Sequence, residues 1–241
     1  MTGERTDRMK ILIVLSSCGR IPGTDRRTGT WLEELAAPYY VFQDAGARVD
    51  LASVAGGRAP LDPTSLEREF QTNATRRFAA DPDAQRALAG TSKLSTILPE
   101  RYDAVFYSGG LGPVFDLSED DASVALIETM HRTGKPIAAV CHGSAVLRKV
   151  RDPAGRPLVM GRAVTGFSNS EEIAANGPGV TPFLIEDELR RLGGLYSCAA
   201  DGEPHVVTDG NLITGQNPAS SEEVARRILD MIPTDRRGAA T

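Results

Sequence analysis

The sequence predicts an α/β fold built on a mostly parallel central sheet, and three observations carry that prediction. Short apolar runs alternate with helix-like segments along the whole chain, the pattern of a parallel sheet covered by helices on both faces. One of these runs, IAAV at 137–140, is entirely apolar and leads straight into Cys141-His142-Gly143, a strand entering a sharp turn. The composition, 41 % hydrophobic and 24 % charged over 241 residues, suits one large domain with a sizeable core and argues against disordered and fibrous classes.

The elements follow in order. KILIVLSS (10–17) is the first strand, and the polar loop CGRIPGTDRRTGT comes after it. Across 30–45, Trp31, Leu35, Tyr39 and Phe42 recur every three or four residues, as on one helix face, and Gly46 closes that helix. RVDLASV is the second strand. Residues 56–98 carry short polar helical pieces such as ATRRF and DAQRALAG, with too few large apolar residues to fold alone; they read as an inserted lid over one end of the sheet. AVFYSGG (104–110) is a strand ending in a glycine turn. A helix starts near Ser118, where Glu119, Asp120 and Asp121 suit a positive N-terminus, and Gly134 and Pro136 stop it after Arg132. PIAAVCHG is a buried strand with SAVLRKV as the helix after it. Strands are expected at RAVTGFS, HVVTDG and NLITGQ, and helices at TPFLIEDELRRLG and SSEEVARRILDMI. The whole chain, 1–241, reads as one domain with a frayed polar tail at 233–241.

The same sequence excludes several function classes. The net charge of −5, with basic residues scattered among acidic ones, gives no nucleic-acid footprint. The polar start MTGERTDRMK meets only five apolar residues, too few for a signal peptide or a membrane span, so a cytoplasmic protein is expected. Cys18, Cys141 and Cys198 are odd in number and far apart, which favours reduced thiols over disulfides. With three histidines and no CxxC or HExxH, no metal site is expected.

Cys141 is the candidate nucleophile. A strained strand-to-helix turn exposes a side chain, and the helix N-terminus behind it favours thiolate over thiol; a buried structural cysteine is the alternative. Cys18, at the end of the first strand, together with Cys198 and His205, reads as structural, and Trp31, Tyr39 and Tyr40 as core or a dimer surface.

VCHG, with SGGLGP upstream and WLEELAAPYY near the start, resembles the ThiJ/PfpI superfamily, and within it the glutathione-independent glyoxalase and chaperone-like branch. LDPTS, VTGFSNSEE, PFLIEDELRRLGG and LITGQNPASS extend the resemblance from about residue 10 to 232. It implies a flavodoxin-like three-layer sandwich similar to class I glutamine amidotransferases, with a nucleophile elbow. It also implies a glutamate bonded to the cysteine, four residues before a proline, and Pro38 selects Glu34 rather than Glu33. A half-buried carboxyl there has a raised pKa suited to proton transfer. The resemblance assigns His142 to a Cys-His-Glu triad, whose acidic member after TGF is Glu171, with Glu172 one register step away.

Gly109, Gly110 and Gly112, with Gly143 at the elbow, are the candidate oxyanion-hole positions. Two departures from the family pattern stand out: Leu111 replaces the histidine of GGHG, and SGG replaces PGG. Leu111 gives the substrate site an apolar wall. The implied reaction converts a small 2-oxoaldehyde such as methylglyoxal with water to D-lactate, in a homodimer without cofactor. The alternatives are a hydratase or lyase acting on another electrophile, such as an isocyanide or a biosynthetic intermediate, and a stress chaperone with a redox-sensing cysteine.

Overall fold

A computed structural model describes residues 8–176 and 179–233; residues 234–241 of the expected tail lie outside the described residues. Seven strands form the main sheet: β1 (Lys10–Leu15), β2 (Arg48–Ser53), β3 (Ser92–Lys93), β4 (Ala104–Tyr107), β5 (Ile137–Val140), β8 (Val206–Asp209) and β9 (Leu212–Gly215). Their spatial order is β3-β2-β1-β4-β5-β9-β8, and every pair is parallel except the β8–β9 hairpin.

The central strands β1, β4 and β5 are apolar on both sides because both faces are covered there. Ile11, Ile13 and Leu15 of β1 join Phe106 and Val140 in a core completed by α1 (Leu32–Asp44) and α8 (Ser221–Met231). Leu12 and Val14 face the other way, with Val105, Tyr107 and Ile137, against α5 (Asp121–Arg132). Each fully buried aliphatic side chain of this kind contributes about 1.5–3 kcal/mol. The result is the three-layer α/β architecture expected from the sequence.

Several local expectations change. The helix expected from near Ser118 to Arg132 is α5, but it starts at Asp121: Leu117–Glu119 is a 3₁₀ turn, and Asp120 caps the helix by accepting from the Ser123 N–H at 2.8 Å. The helix expected after the elbow is also 3₁₀, over Cys141–Leu147, with every side chain buried. RAVTGFS supplies only β6 (Ala163–Val164), which pairs with β7 (Leu195–Tyr196) in a separate two-stranded sheet. The helix expected at 181–193 shortens to α7 (Ile185–Arg191).

Residues 56–98 form α2 (Asn73–Ala80) and α3 (Pro82–Ala89), each with a side-chain N-cap, and also give β3 to the sheet edge. Phe78 of α2 packs edge-on against Tyr39 of α1 with ring centroids 5.5 Å apart, which ties the segment to the main core. Two short helices complete the chain: α4 (Gly112–Phe115), and α6 (Asn169–Asn176), which the apolar pattern of the sequence does not announce. No helix among the described residues is long and apolar enough to cross a membrane.

Candidate active site

The C-terminal ends of β4 and β5 lie side by side, so the Ser108-Gly109-Gly110 turn and the Cys141 turn meet at one sheet edge. Cys141 has φ 57°, the only positive φ at a non-glycine among the described residues. Holding a β-carbon residue there costs on the order of 1–3 kcal/mol, and such strain collects at functional positions. The seven-residue 3₁₀ segment behind it keeps the turn tight, and Gly143 is required because a Cβ there would stand 2.7 Å from the Tyr107 carbonyl oxygen.

Glu34 reaches the sulfur from the first turn of α1. Pro38 lies inside that helix and has no N–H to give the carbonyl of Glu34 four residues back. Ser108 Oγ fills the gap, donating to the Glu34 carbonyl at 2.9 Å in a buried site. The carboxyl then turns inward, where its Oε2 accepts from the Gly109 N–H at 2.6 Å and the Cys141 thiol is its other close polar neighbour. A Cβ on residue 109 would lie 2.5 Å from that Oε2 and 3.0 Å from the Cys141 Cβ, so only glycine lets the two groups meet.

Burial raises the Glu34 carboxyl from 4.5 to about 8, outweighing its hydrogen bonds with Cys141 and Gly109. It is therefore protonated at neutral pH. Burial also raises the Cys141 thiol, with the neighbouring Glu34 as the next cause. The thiolate-favouring field expected of the elbow is overridden. The segment behind the sulfur is 3₁₀ rather than α-helical, and the sulfur is buried. The backbone N–H of His142 gives the sulfur partial support.

His142 Nδ1 lies 3.4 Å from Cys141 Sγ, and its Nε2 lies 2.5 Å from Glu172 Oε2. The carboxylate on the histidine is thus Glu172, which corrects the expectation of Glu171. The reason is a capping box at the start of α6. Glu171 N–H donates to Ser168 Oγ at 3.2 Å, and Glu171 Oε2 reaches back to the Ser168 N–H at 3.2 Å. Glu171 also accepts from Gly202 N at 2.9 Å, Gln216 Nε2 at 3.0 Å and Asn217 Nδ2 at 2.8 Å, which makes it a structural hub. One position further round the helix, Glu172 faces the imidazole. Contact with His142 and Asn176 holds the Glu172 carboxyl below its usual range despite burial. A carboxylate at Nε2 fixes the proton there and leaves Nδ1 as the acceptor facing the thiol. Phe167 packs against the imidazole with ring centroids 4.4 Å apart.

Above these groups lies a cavity of about 710 Å³. Of the four expected oxyanion positions and the expected wall residue Leu111, Gly110 and Leu111 line it. Gly109 spends its N–H on Glu34, while Gly112 packs on Ser16 and Gly143 on Tyr107. The N–H groups of Gly110 and Leu111 are the donors left at that wall. Trp31, Phe70, Asp201 and Asn217 also line the cavity; they come from four separate loops and helix ends, and Phe70 and Asp201 lie outside every motif read from the sequence. Cys18 is outside it, its thiol donating to the Arg20 carbonyl at 3.1 Å, and His205 Nε2 pairs with Ser197 Oγ at 2.9 Å. No group of three or more His, Cys, Asp or Glu among the described residues is arranged to hold a metal.

Comparison with known proteins places this geometry in context. Residues 28–231 match the model of the DJ-1/PfpI family. The chain is 29 % identical over 235 residues to the glutathione-independent glyoxalase HSP31 of Saccharomyces cerevisiae, covering 92 % of this chain and 98 % of that protein. Among solved structures it is similar to the Rapid Encystment Protein 24 kDa of Francisella tularensis (TM-score 0.88, 32 % identity, 92 % and 98 % of the two chains). It is also similar to glyoxalase III of Candida albicans (TM-score 0.86, 27 % identity, 94 % and 98 %).

Proposed function

The chain belongs to the DJ-1/PfpI family, and on that premise we propose that it is a glyoxalase III-like enzyme. It converts a small 2-oxoaldehyde of the methylglyoxal type with water to the 2-hydroxy acid, D-lactate in the simplest case, and its own side chains supply the chemistry. The observation that carries this reading is Cys141 in a strained turn, with a buried neutral carboxyl on one side and the His142–Glu172 pair on the other.

The reaction needs a nucleophile and two groups that trade protons, and the site offers one of each kind. His142 Nδ1 takes the thiol proton as Cys141 Sγ bonds to the aldehyde carbon. The new alkoxide lies toward the Gly110 and Leu111 amides and takes the proton of Glu34, giving a hemithioacetal. Glu34, now a carboxylate, removes the hydrogen on that carbon while imidazolium protonates the neighbouring carbonyl oxygen, and an enediol results. Glu34 returns its proton to the second carbon and His142 takes the hydroxyl proton from the first, leaving a 2-hydroxyacyl thioester. Water then attacks the thioester, giving a proton to Glu34, and the sulfur leaves with a proton from His142. Every group ends as it began. Burial serves this cycle twice, since it keeps Glu34 protonated at rest and makes its carboxylate a stronger base each time it takes a proton up.

The same reading takes the protein to be a cytoplasmic homodimer, an assembly that sedimentation checks. The activity itself is tested by loss of methylglyoxal and appearance of D-lactate with purified protein. The wild type is expected to turn over and Cys141→Ala to fall to background. Turnover that survives in Cys141→Ala, or none in the wild type, overturns the assignment.

A further inference from the structure

The cavity above Cys141 is larger than methylglyoxal requires. A substrate of five heavy atoms displaces about as much as a few waters of ~30 Å³ each, which leaves most of the 710 Å³ unfilled. A site of this size suits a substrate with a substantial arm beyond the reacting carbonyls. Its apolar wall is Trp31 and Phe70, packed edge to face at 5.0 Å, together with Leu111.

Acidic side chains stand among the uncharged residues of the rest of the wall. Glu33, Asp62, Glu69 and Asp201 face the cavity. Three of them are held by hydrogen bonds from uncharged donors: Thr72 Oγ1 to Glu33 at 2.6 Å, Thr28 Oγ1 to Asp62 at 3.0 Å, and Ser170 Oγ to Asp201 at 2.5 Å. Such bonds fix a carboxylate without cancelling its charge. Among the described lining residues the one guanidinium is Arg26. Its Nη2 donates to Asn176 at 2.6 Å, and Asn176 Nδ2 donates to Glu172 at 2.9 Å. Its charge acts on Glu172, and a single guanidinium stands against the four carboxylates of the wall. Glu34, which also lines the cavity, keeps its buried Oε1 without a hydrogen-bond partner beyond its approach to the thiol.

We propose that this cavity selects electrophiles by charge: it admits 2-oxoaldehydes whose arm has an apolar body and a positively charged end, and it repels anionic ones. The aldehyde end rests on the reaction proposed above, while the charge selection belongs to the cavity and holds for any electrophile that reaches Cys141. Low-dielectric walls lined with one sign of charge focus their field on an entering ligand, and salt screens it.

The test uses two thiol reagents of matched size and opposite charge, 2-(trimethylammonio)ethyl and 2-sulfonatoethyl methanethiosulfonate. With either reagent, the Cys141 thiolate displaces methanesulfinate and forms a mixed disulfide, and the thiol proton passes to solvent. Labelling rates at Cys141, followed by peptide mass and divided by each reagent's rate with free 2-mercaptoethanol, give a charge preference. The cation is expected to be favoured at least tenfold at low salt. That ratio should fall several-fold in 0.5 M sodium chloride and in a Glu69→Gln, Asp201→Asn double variant. A normalised ratio within twofold of one, or one that salt leaves unchanged, overturns the inference even if the variant does not fold. Among substrates, phenylglyoxal bearing a para trimethylammoniomethyl group should exceed its carboxymethyl counterpart at least tenfold in kcat/KM. Absent methylglyoxal turnover with a strong charge ratio sinks the reaction alone; turnover with a ratio near one sinks the charge selection alone.

Discussion

Two pairs of adjacent glutamates begin two helices beside Cys141, and their fates differ. In the first turn of α1, Glu33 accepts from Thr72 of the 56–98 segment while Glu34 turns in toward the sulfur. In the first turn of α6, Glu171 closes the capping box and Glu172 meets His142. In each pair one carboxyl binds structure together and the other faces the reacting groups. What sorts them is helix register. In α1, Pro38 leaves the carbonyl of the residue four before it to Ser108, and that residue is the one whose carboxyl turns inward. In α6 the register is set by Ser168, which claims the residue three after it. A proline and a serine thus mark, in each pair, the carboxyl that lies beside Cys141 or His142.

The comparison breaks most visibly at Glu34. Glu34→Gln keeps the shape and loses the exchangeable proton, so kcat/KM for methylglyoxal is expected to fall about 10³-fold, within the range for a general acid–base group. The same variant tests the burial argument through stability. In the folded protein Glu34 holds its proton up to about pH 8, against 4.5 when exposed. Below pH 4.5 both states are protonated and the group contributes no difference. As pH rises toward about 8 the unfolded chain ionises and the folded one does not, so the wild type loses stability across that window. The loss is on the order of a few kcal/mol. Urea unfolding of wild type and Glu34→Gln at a series of pH values should show their difference changing across that window. Parallel curves would mean that Glu34 is not held neutral by burial.

The second pair should separate activity from stability. Glu172→Gln removes the charge that fixes the imidazole tautomer, and a kcat loss of about 10²-fold with nearly native Tm is expected. Glu171→Gln breaks charge-assisted bonds to Ser168, Gly202, Gln216 and Asn217, and should appear mainly as lost stability, about 2–3 kcal/mol. For a chain of this length that is a Tm drop of several degrees. If Glu171→Gln gave the larger kcat loss at unchanged Tm, the assignment of the two residues would be reversed.

The sheet was legible because its signal is burial: β1, β4 and β5 are apolar on both faces and can hardly be anything else. Cys141 and the first turn of α1 were legible for a related reason, since turn glycines and a helix proline leave local marks. The α6 helix was not, because little of it is apolar core. Ile173 is exposed, and the segment is anchored by polar contacts such as Asn169 Nδ2 to Asp187 at 2.8 Å. Hydrophobic periodicity has nothing to detect there. The S-x-x-E capping box from Ser168 to Glu171 was the available clue, and it points to Glu172 by elimination. The cavity wall was less legible still, because Trp31, Asp62, Phe70 and Asp201 meet only when four loops converge on one sheet edge.

The smallest expected effect concerns Ser108, where this chain has a hydroxyl in place of the family's proline. Its Oγ is the donor that replaces the N–H missing from Pro38. Ser108→Ala would leave the buried carbonyl of Glu34 without that partner, at a cost of about 1–3 kcal/mol. Glu34 would also be less firmly placed against the thiol. Since α1 is held by its packing on α8 and the sheet, the helix should survive. The variant should therefore lose a few degrees of Tm and a few-fold in kcat, with KM little changed. Replacing Pro38 with alanine in the same background restores the helical N–H to that carbonyl, and the double variant should regain part of both losses. If Pro38→Ala rescued neither, the serine would be packing the turn rather than answering the proline, and the register of α1 would need another anchor.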